Sequence, residues 1–341
     1  MTGSYKAAGV DLDAGDRTIE LIRRAVASTY GPAVLAGIGA FGGLFEAAAL
    51  RAHDDTVLVA STDGVGTKTL LAAQLGLWRG IGHDIVNHCV NDILVQGARP
   101  LFFLDYIAAA RLDPQTIAEV VTGIAEACRA VGAALLGGET AEMPGVYRPG
   151  AFDLVGTIVG VVRRSQIIDG SRIREGDAII GLASSGLHTN GYSLARAVFE
   201  KWDLRARPAG LEQTLGEALL APHTCYLEPI RTLQQARIDI HGLAHITGGG
   251  IPGNLPRILP PQLGAEIEWG SWPVPALFGL LRRAGQISGD EMFRVFNMGL
   301  GMLVVLPAEE CGRALALLGD GAYRVGRVVR RQEGEEPVAI R

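Results

Sequence analysis

Glycine falls in discrete clusters along this chain, and the clusters follow short apolar runs. There are 46 glycines in 341 residues, against a usual share of about 7%. They do not form low-complexity tracts. A strand that ends in a glycine-rich turn and restarts as a helix is how α/β enzymes build ligand loops, because glycine lets backbone approach a ligand closely. Residues 56–61 (TVLVAS) read as a buried strand, followed by Asp63, Gly64, Val65, Gly66, Thr67 and Lys68. Residues 133–136 read as a short strand before Gly137, Gly138, Glu139 and Thr140. Residues 178–183 read as a strand before Ser184, Ser185, Gly186, Leu187, His188, Thr189, Asn190 and Gly191. A further cluster is Thr247, Gly248, Gly249 and Gly250.

Between these clusters the periodicity switches from strand to helix. Residues 84–96 have helical length, and 101–109 and 154–162 read as strands. Asp113 is a good N-cap and Pro114 suits the first helical turn. Ile117, Val120, Val121, Ile124, Cys128 and Val131 then fall on one helix face. Helices are expected from about 192 and 225, and late strands at 302–306 and 323–329. The polar, turn-rich stretch 163–176 reads as a domain boundary. The expected class is α/β (α+β), with two domains (1–167 and 168–341), each a mixed sheet flanked by helices.

Composition removes several function classes. At 48% hydrophobic and 20% charged, the chain has the apolar content for a sizeable core. A net charge of −5 argues against general nucleic-acid binding. The one basic run, Arg324, Arg327, Arg330 and Arg331, reads as the solvent side of a strand. Cys89, Cys128, Cys225 and Cys311 show neither zinc nor disulfide spacing and fit reduced core thiols. With no leader-like start and no apolar run of membrane length, a cytoplasmic location and no membrane partner are expected.

Charged groups beside the glycines carry the chemistry. Backbone amides from Gly64 to Thr67 suit phosphate oxygens, Lys68 adds positive charge, and Asp63 suits a metal. The segment is no P-loop, since Thr67 precedes Lys68 where that motif needs glycine. Gly37, Gly39 and Gly42 match a dinucleotide fingerprint, but the run before them is too short for its strand, and a loop closing over a ligand fits better. Asp84, His88 and Asp92 are spaced by four and share a helix face. His88 by itself reads as a hydrogen-bonded structural histidine. Asp92, in an apolar helix, needs a partner. Glu139 and Glu142 add carboxylates of the kind that hold Mg2+ on nucleotide phosphates. His188 has the titration range of an acid or base, and Thr247 to Gly250 suit a second phosphate cradle.

The stretches YKAAGVDLDAG, GIGAFGGLF, STDGVGTK, CVNDILVQGARPLFFLDY, GGETAEMPGVY, SSGLHTNGYSLAR, HITGGGIPGNLPRILP and FNMGLGM occur in this order. Together they resemble the phosphoribosylformylglycinamidine cyclo-ligase (aminoimidazole ribonucleotide synthetase) family of de novo purine synthesis, over nearly the whole chain. That resemblance implies ATP-dependent closure of formylglycinamidine ribonucleotide to 5-aminoimidazole ribonucleotide through a phosphorylated amide, releasing ADP and phosphate. It implies a homodimer, with ATP and Mg2+ in the N-terminal domain and a C-terminal domain completing the site for the phosphoribosyl amidine. By the same resemblance Asp63, Gly64, Gly66, Thr67, Lys68, Gly138, Glu139 and Thr140 would hold the nucleotide. Asp63, Asp92 and Glu139 would hold the metal. His188, Asn190, Thr247, Gly248, Gly249 and Gly250 would hold the substrate, with Lys68, Asp92 and His188 catalytic. Two departures stand out: residues 27–32 lack the family's basic side chains, and His88 stands where the family tends to be apolar. The rival readings are another ATP-binding relative (a small-molecule kinase or amide-activating ligase), a nicotinamide dehydrogenase and a non-catalytic scaffold.

Overall fold

Two runs of strand and helix make up the chain. The structure, a computed structural model, describes residues 12–39, 42–51, 54–332 and 334–341. The chain divides into one unit of Met1–Ile93 with Ala98–Ser165 and a second of Leu94–Gly97 with Gln166–Arg341.

The first unit contains α1 (Leu12–Ala27), β1 (Val34–Ala36), β2 (Leu44–Phe45), β3 (Thr56–Gly64), α2 (Lys68–Leu75), α3 (Arg79–Leu94), β4 (Arg99–Ala109), α4 (Pro114–Val131), β5 (Ala134–Glu142) and β6 (Phe152–Arg163). Its four-stranded sheet has the order β3-β6-β4-β5, antiparallel except for β4 beside β5. Helix α4 begins where local chemistry predicts. Asp113 accepts a hydrogen bond from the Thr116 N–H at 3.2 Å, and Pro114 sits in the first turn. Its apolar face, Ile117, Val120, Val121, Ile124, Cys128 and Val131, is buried. Each such side chain contributes about 1.5–3 kcal/mol. Helix α3 packs against α4 backbone to backbone: a Cβ on Gly123 would lie 2.1 Å from the Arg79 carbonyl oxygen. Only glycine permits that approach, and it fixes the helix that carries Asp84, His88 and Asp92.

Two expected loops are strand instead. β3 continues through Asp63 and Gly64, which pair with Gly156 and Val155 of β6. β5 runs on to Glu142, so Gly137, Gly138, Glu139 and Thr140 pair with Leu104, Asp105, Tyr106 and Ile107. Glycine runs read as turns; here they are sheet positions, and at one of them the missing Cβ makes room for a neighbour. At Gly138 a Cβ would stand 2.3 Å from Asp105 Oδ1. The fingerprint Gly37 to Gly42 also departs from a dinucleotide site. The three-residue β1 pairs antiparallel with β2, so strand is followed by strand, not helix. Ala40 and Phe41 of that motif, and residues 5–11 of the first resembling stretch, lie outside the described residues.

The second unit contains β7 (Ala178–Ala183), α5 (Tyr192–Val198), α6 (Leu215–Leu220), α7 (Leu227–Gln235), β8 (Gly242–His245), α8 (Gly250–Asn254), β9 (Leu263–Ile267), α9 (Ala276–Gly285), α10 (Gly289–Val295), β10 (Leu300–Leu306), α11 (Cys311–Leu318), β11 (Ala322–Arg330) and β12 (Val338–Ile340). The sheet order is β12-β9-β11-β7-β10-β8, antiparallel except for β12 beside β9. One face buries Ile179, Leu303, Val305, Val325 and Val328 among others. A bulge between Arg324 and Gly326 keeps Arg324 and Arg327 on the exposed side, as expected of that basic run. Helix α6, not among the expected helices, starts on a capping box formed by Thr214 and Glu217. Both units are thus mixed sheets with helices. Cys89, Cys128, Cys225 and Cys311 are free thiols. No described helix is long and apolar enough to cross a membrane.

Candidate active site

Alternation along β3 turns Ser61 and Asp63 to the same face as the buried Val59. Helix α3 presents Asp84, His88 and Asp92, one turn apart, on one face. His88 joins strand to helix. Its Nε2 donates to Asp63 Oδ2 at 2.9 Å and lies 3.8 Å from Asp92 Oδ2. Ser61 Oγ donates to the same Asp92 oxygen at 3.1 Å. The imidazole is buried (side chain 5% exposed), while Asp63 and Asp92 remain open (43% and 26%). Burial alone would lower the pKa of His88, but the Asp63 hydrogen bond and the charges of Asp92, Asp63 and Asp84 outweigh it and raise it. His88 therefore has the structural role expected of it, as the buried foot of a carboxylate pair. Two half-exposed carboxylates converging on one point are hard oxygen donors of the kind Mg2+ takes, so the residues fit that ion.

Asp84 does not join them. It faces Lys68, whose Nζ lies 2.9 Å from Oδ1 and 2.8 Å from Oδ2, with both side chains fully buried. Burial pulls the Lys68 ammonium below the usual lysine range and Asp84 pulls it back. Lys68 opens α2, directly after Gly66 and Thr67. It is turned into the protein and away from solvent, because a buried ammonium is tolerable only beside its counter-charge.

Glu139 stands apart from Asp63. Register links Asp63, Gly156, Asp105 and Gly138 in one row across the sheet. Glu139 is in the next row, with Tyr106, so its side chain leaves the opposite face. It lines a cavity of about 1150 Å³ with Gly138 and Thr140. Gly37, Gly39 and Gly42 of the first glycine loop line the same cavity, as do Ile22 and Val26 of α1. The structure thus gathers the glycine segments 37–42 and 137–142 around one cavity. Glu142, expected among the metal carboxylates, accepts a hydrogen bond from the Leu112 N–H at 2.9 Å.

Sequence reasoning missed Asp105. It lines this cavity, and burial pushes its carboxyl up to about 7. An acid raised in the folded state gives stability that is complete below its unfolded value, about 3.9. That stability is lost as pH rises towards 7. Asp105→Asn cannot ionise. Its melting temperature relative to the parent should rise between pH 4.5 and 7 and level off above. Thermal melts across that range test this, and a difference that falls with pH would contradict it.

In the second unit two candidate loops meet. A Cβ on Gly248 would lie 3.2 Å from Asn190 Oδ1. Gly249 and Gly250 have φ of 97° and 58°, so the turn requires glycine. Asn254 secures it from below. Its buried side-chain amide donates to the carbonyls of Thr247, Gly248 and Gly250 at 3.3, 3.3 and 2.8 Å. Thr247 Oγ1 donates to Asn254 Oδ1 at 3.2 Å. His188, at φ 61°, is buried and stacks on His223 with centroids 4.0 Å apart. Its Nε2 accepts long hydrogen bonds from the Ser185 and Thr224 N–H groups, at 3.3 and 3.4 Å. His223 and Asn254 were not foreseen as parts of the site.

Known proteins place these features in context. Residues 45–162 match the family described as AIR synthase related protein, N-terminal domain, and residues 174–338 match its C-terminal domain. Phosphoribosylformylglycinamidine cyclo-ligase of Magnetococcus marinus is 51% identical, over 99% of this chain and 96% of its own. The Myxococcus xanthus protein of that name is 50% identical, over 100% and 99%. That of Nitrosococcus oceani is 49% identical, over 99% and 94%. Among solved structures, hydrogenase maturation protein HypE in complex with ATP superposes with a TM-score of 0.68 at 21% identity, over 94% of this chain and 90% of that one. Thiamine-monophosphate kinase from Stenotrophomonas maltophilia gives 0.66 at 19%, over 95% of each. These two share the fold.

Proposed function

The chain belongs to the phosphoribosylformylglycinamidine cyclo-ligases of the AIR synthase related family, and we propose that its first unit holds ATP and its second the phosphoribosyl amidine. The activity is ATP-dependent closure of formylglycinamidine ribonucleotide to 5-aminoimidazole ribonucleotide, with ADP and phosphate released. The amide oxygen is a poor leaving group. Attack of that oxygen on the γ-phosphorus expels ADP and gives an O-phosphorylated imidate. The amidine nitrogen of the same molecule then adds to the imidate carbon, phosphate departs with the former amide oxygen, and loss of a proton completes the imidazole. Both partners of the second step lie in one molecule, so the protein's work is positioning and charge neutralisation.

One observation carries the assignment of residues: Asp63 and Asp92, distant in sequence, converge on His88 and stay open to solvent. They are the pair we assign to Mg2+, which when bound would neutralise phosphate charge. His88 holds Asp63 at one oxygen, and Ser61 holds Asp92. Gly64, Gly66 and Thr67, ahead of α2, are assigned to the triphosphate. Lys68 keeps α2 in place through Asp84. The cavity with Gly138, Glu139 and Thr140 is assigned to the rest of the nucleotide. Asn190 and Thr247 to Gly250 are assigned to the ribose phosphate. His188 is assigned to the amidine, as its acid or base.

A second copy of the chain is the proposed partner. A homodimer is what the family resemblance implies. Sedimentation equilibrium tests it, and a monomer at all concentrations would remove it. The activity is tested by following phosphate and aminoimidazole together, with and without formylglycinamidine ribonucleotide. One-for-one appearance only with substrate is expected. ATP consumption without imidazole would refute it.

A further inference from the structure

Three histidines converge in the second unit, from separate stretches of chain. His188 follows β7, His223 lies between α6 and α7, and His245 ends β8. All are buried, at 1%, 1% and 7% exposure. His223 Nε2 and His245 Nε2 are 3.0 Å apart, and one ring nitrogen from each of the three falls within 4.8 Å of the others. We propose that His188, His223 and His245 form a site for one divalent transition-metal ion of the Zn2+ class.

The donor set decides the class. Three imidazole nitrogens suit Zn2+, Co2+ or Ni2+, whereas Mg2+ takes oxygen donors. With metal–nitrogen bonds of about 2.0–2.1 Å, ligand nitrogens in a tetrahedral site stand about 3.4 Å apart. The present spacings need only small side-chain adjustments. The His223–His245 hydrogen bond gives way to two metal–nitrogen bonds, the proton it holds passing to Nδ1 of the same ring. His188 offers one ring nitrogen to the same point. Thr189 Oγ1 lies 3.3 Å from His223 Nδ1, the nitrogen turned away from His245. That is the outer-shell support that fixes a ligating imidazole. Three protein ligands leave a fourth position for water or a substrate atom.

The consequence for activity rests on the assignment of His188 above. An ion coordinated by His188 occupies the group that would take the substrate's proton, so Zn2+ acts as an inhibitor that a chelator relieves.

Binding is tested on the full chain with Co2+ alone, in excess Mg2+ to fill oxygen sites. One equivalent should bind with the intense visible absorption of a tetrahedral ion, and Zn2+ should displace it. His223→Gln should weaken binding by about 100-fold or more, beyond the 10–100-fold of losing an outer-shell partner. His83→Gln, at the Glu126 pair in the first unit, should not. X-ray absorption of the unsubstituted chain with Zn2+ should show three imidazole ligands, which requires no variant. A missing band, an unchanged band in His223→Gln, or an oxygen-only shell would overturn the site. Tight Zn2+ binding without inhibition would leave the site intact and fault the role given to His188.

Discussion

Replacing Asp92 by asparagine should lower kcat by about 10²- to 10³-fold, the size of losing one pre-organised electrostatic group. Asp63→Asn should do the same. Both side chains face solvent and meet at His88 Nε2, so each change removes charge where a cation would sit. Asparagine keeps the shape and can still accept from Ser61 or His88, so the melting temperature should move little. Raising Mg2+ should recover part of the loss, because weakened binding yields to concentration. The double variant should lose less than the product of the singles, since the two carboxylates act on one ion. Steady-state kinetics at several Mg2+ concentrations measure all of this. Full activity in either variant would remove the pair from the mechanism.

The second large effect is on stability. Lys68→Met leaves the Asp84 carboxylate charged and fully buried, and should cost about 3–5 kcal/mol. Asp84→Leu strands the ammonium and should cost a similar amount. The double variant Lys68→Met with Asp84→Leu should regain most of the loss, because replacing a buried pair by apolar groups is often neutral. Urea unfolding of the four proteins closes the cycle. Additive losses would show that the pair is not coupled. Activity of the recovered double variant separates two roles for Lys68. Retained turnover means that it holds α2 against α3. Lost turnover in a restored fold means that its ammonium reaches phosphate.

Much of the first unit was legible because local rules sufficed. Asp113 and Pro114 fix the start of α4, and the apolar spacing of Ile117 to Val131 fixes its buried face. Asp92 was recognisable as a charge out of place in an apolar helix. Its neighbour His88 followed from the spacing of four, but Asp63 and Ser61 did not, because only the packing of β3 on α3 brings them to it. Lys68 next to glycines reads as a phosphate ligand, and nothing in the linear sequence points it at Asp84. Glu139 was grouped with Asp63 because both follow apolar runs. The extension of β5 puts it in a different row and on the other face. Asp105 went unremarked within its strand, and its meaning depends on Gly138 leaving room beside it. In the second unit the Gly248 to Gly250 turn was visible, but Asn254 beneath it and His223 beside His188 are contacts of tertiary structure alone.

The most direct test of the account is the fate of the formyl amide oxygen. Formylglycinamidine ribonucleotide labelled there with 18O should pass its label, one atom per turnover, into the phosphate released, because that oxygen is the one phosphorylated and expelled. Label found in water, or unlabelled phosphate beside a labelled product, would contradict it.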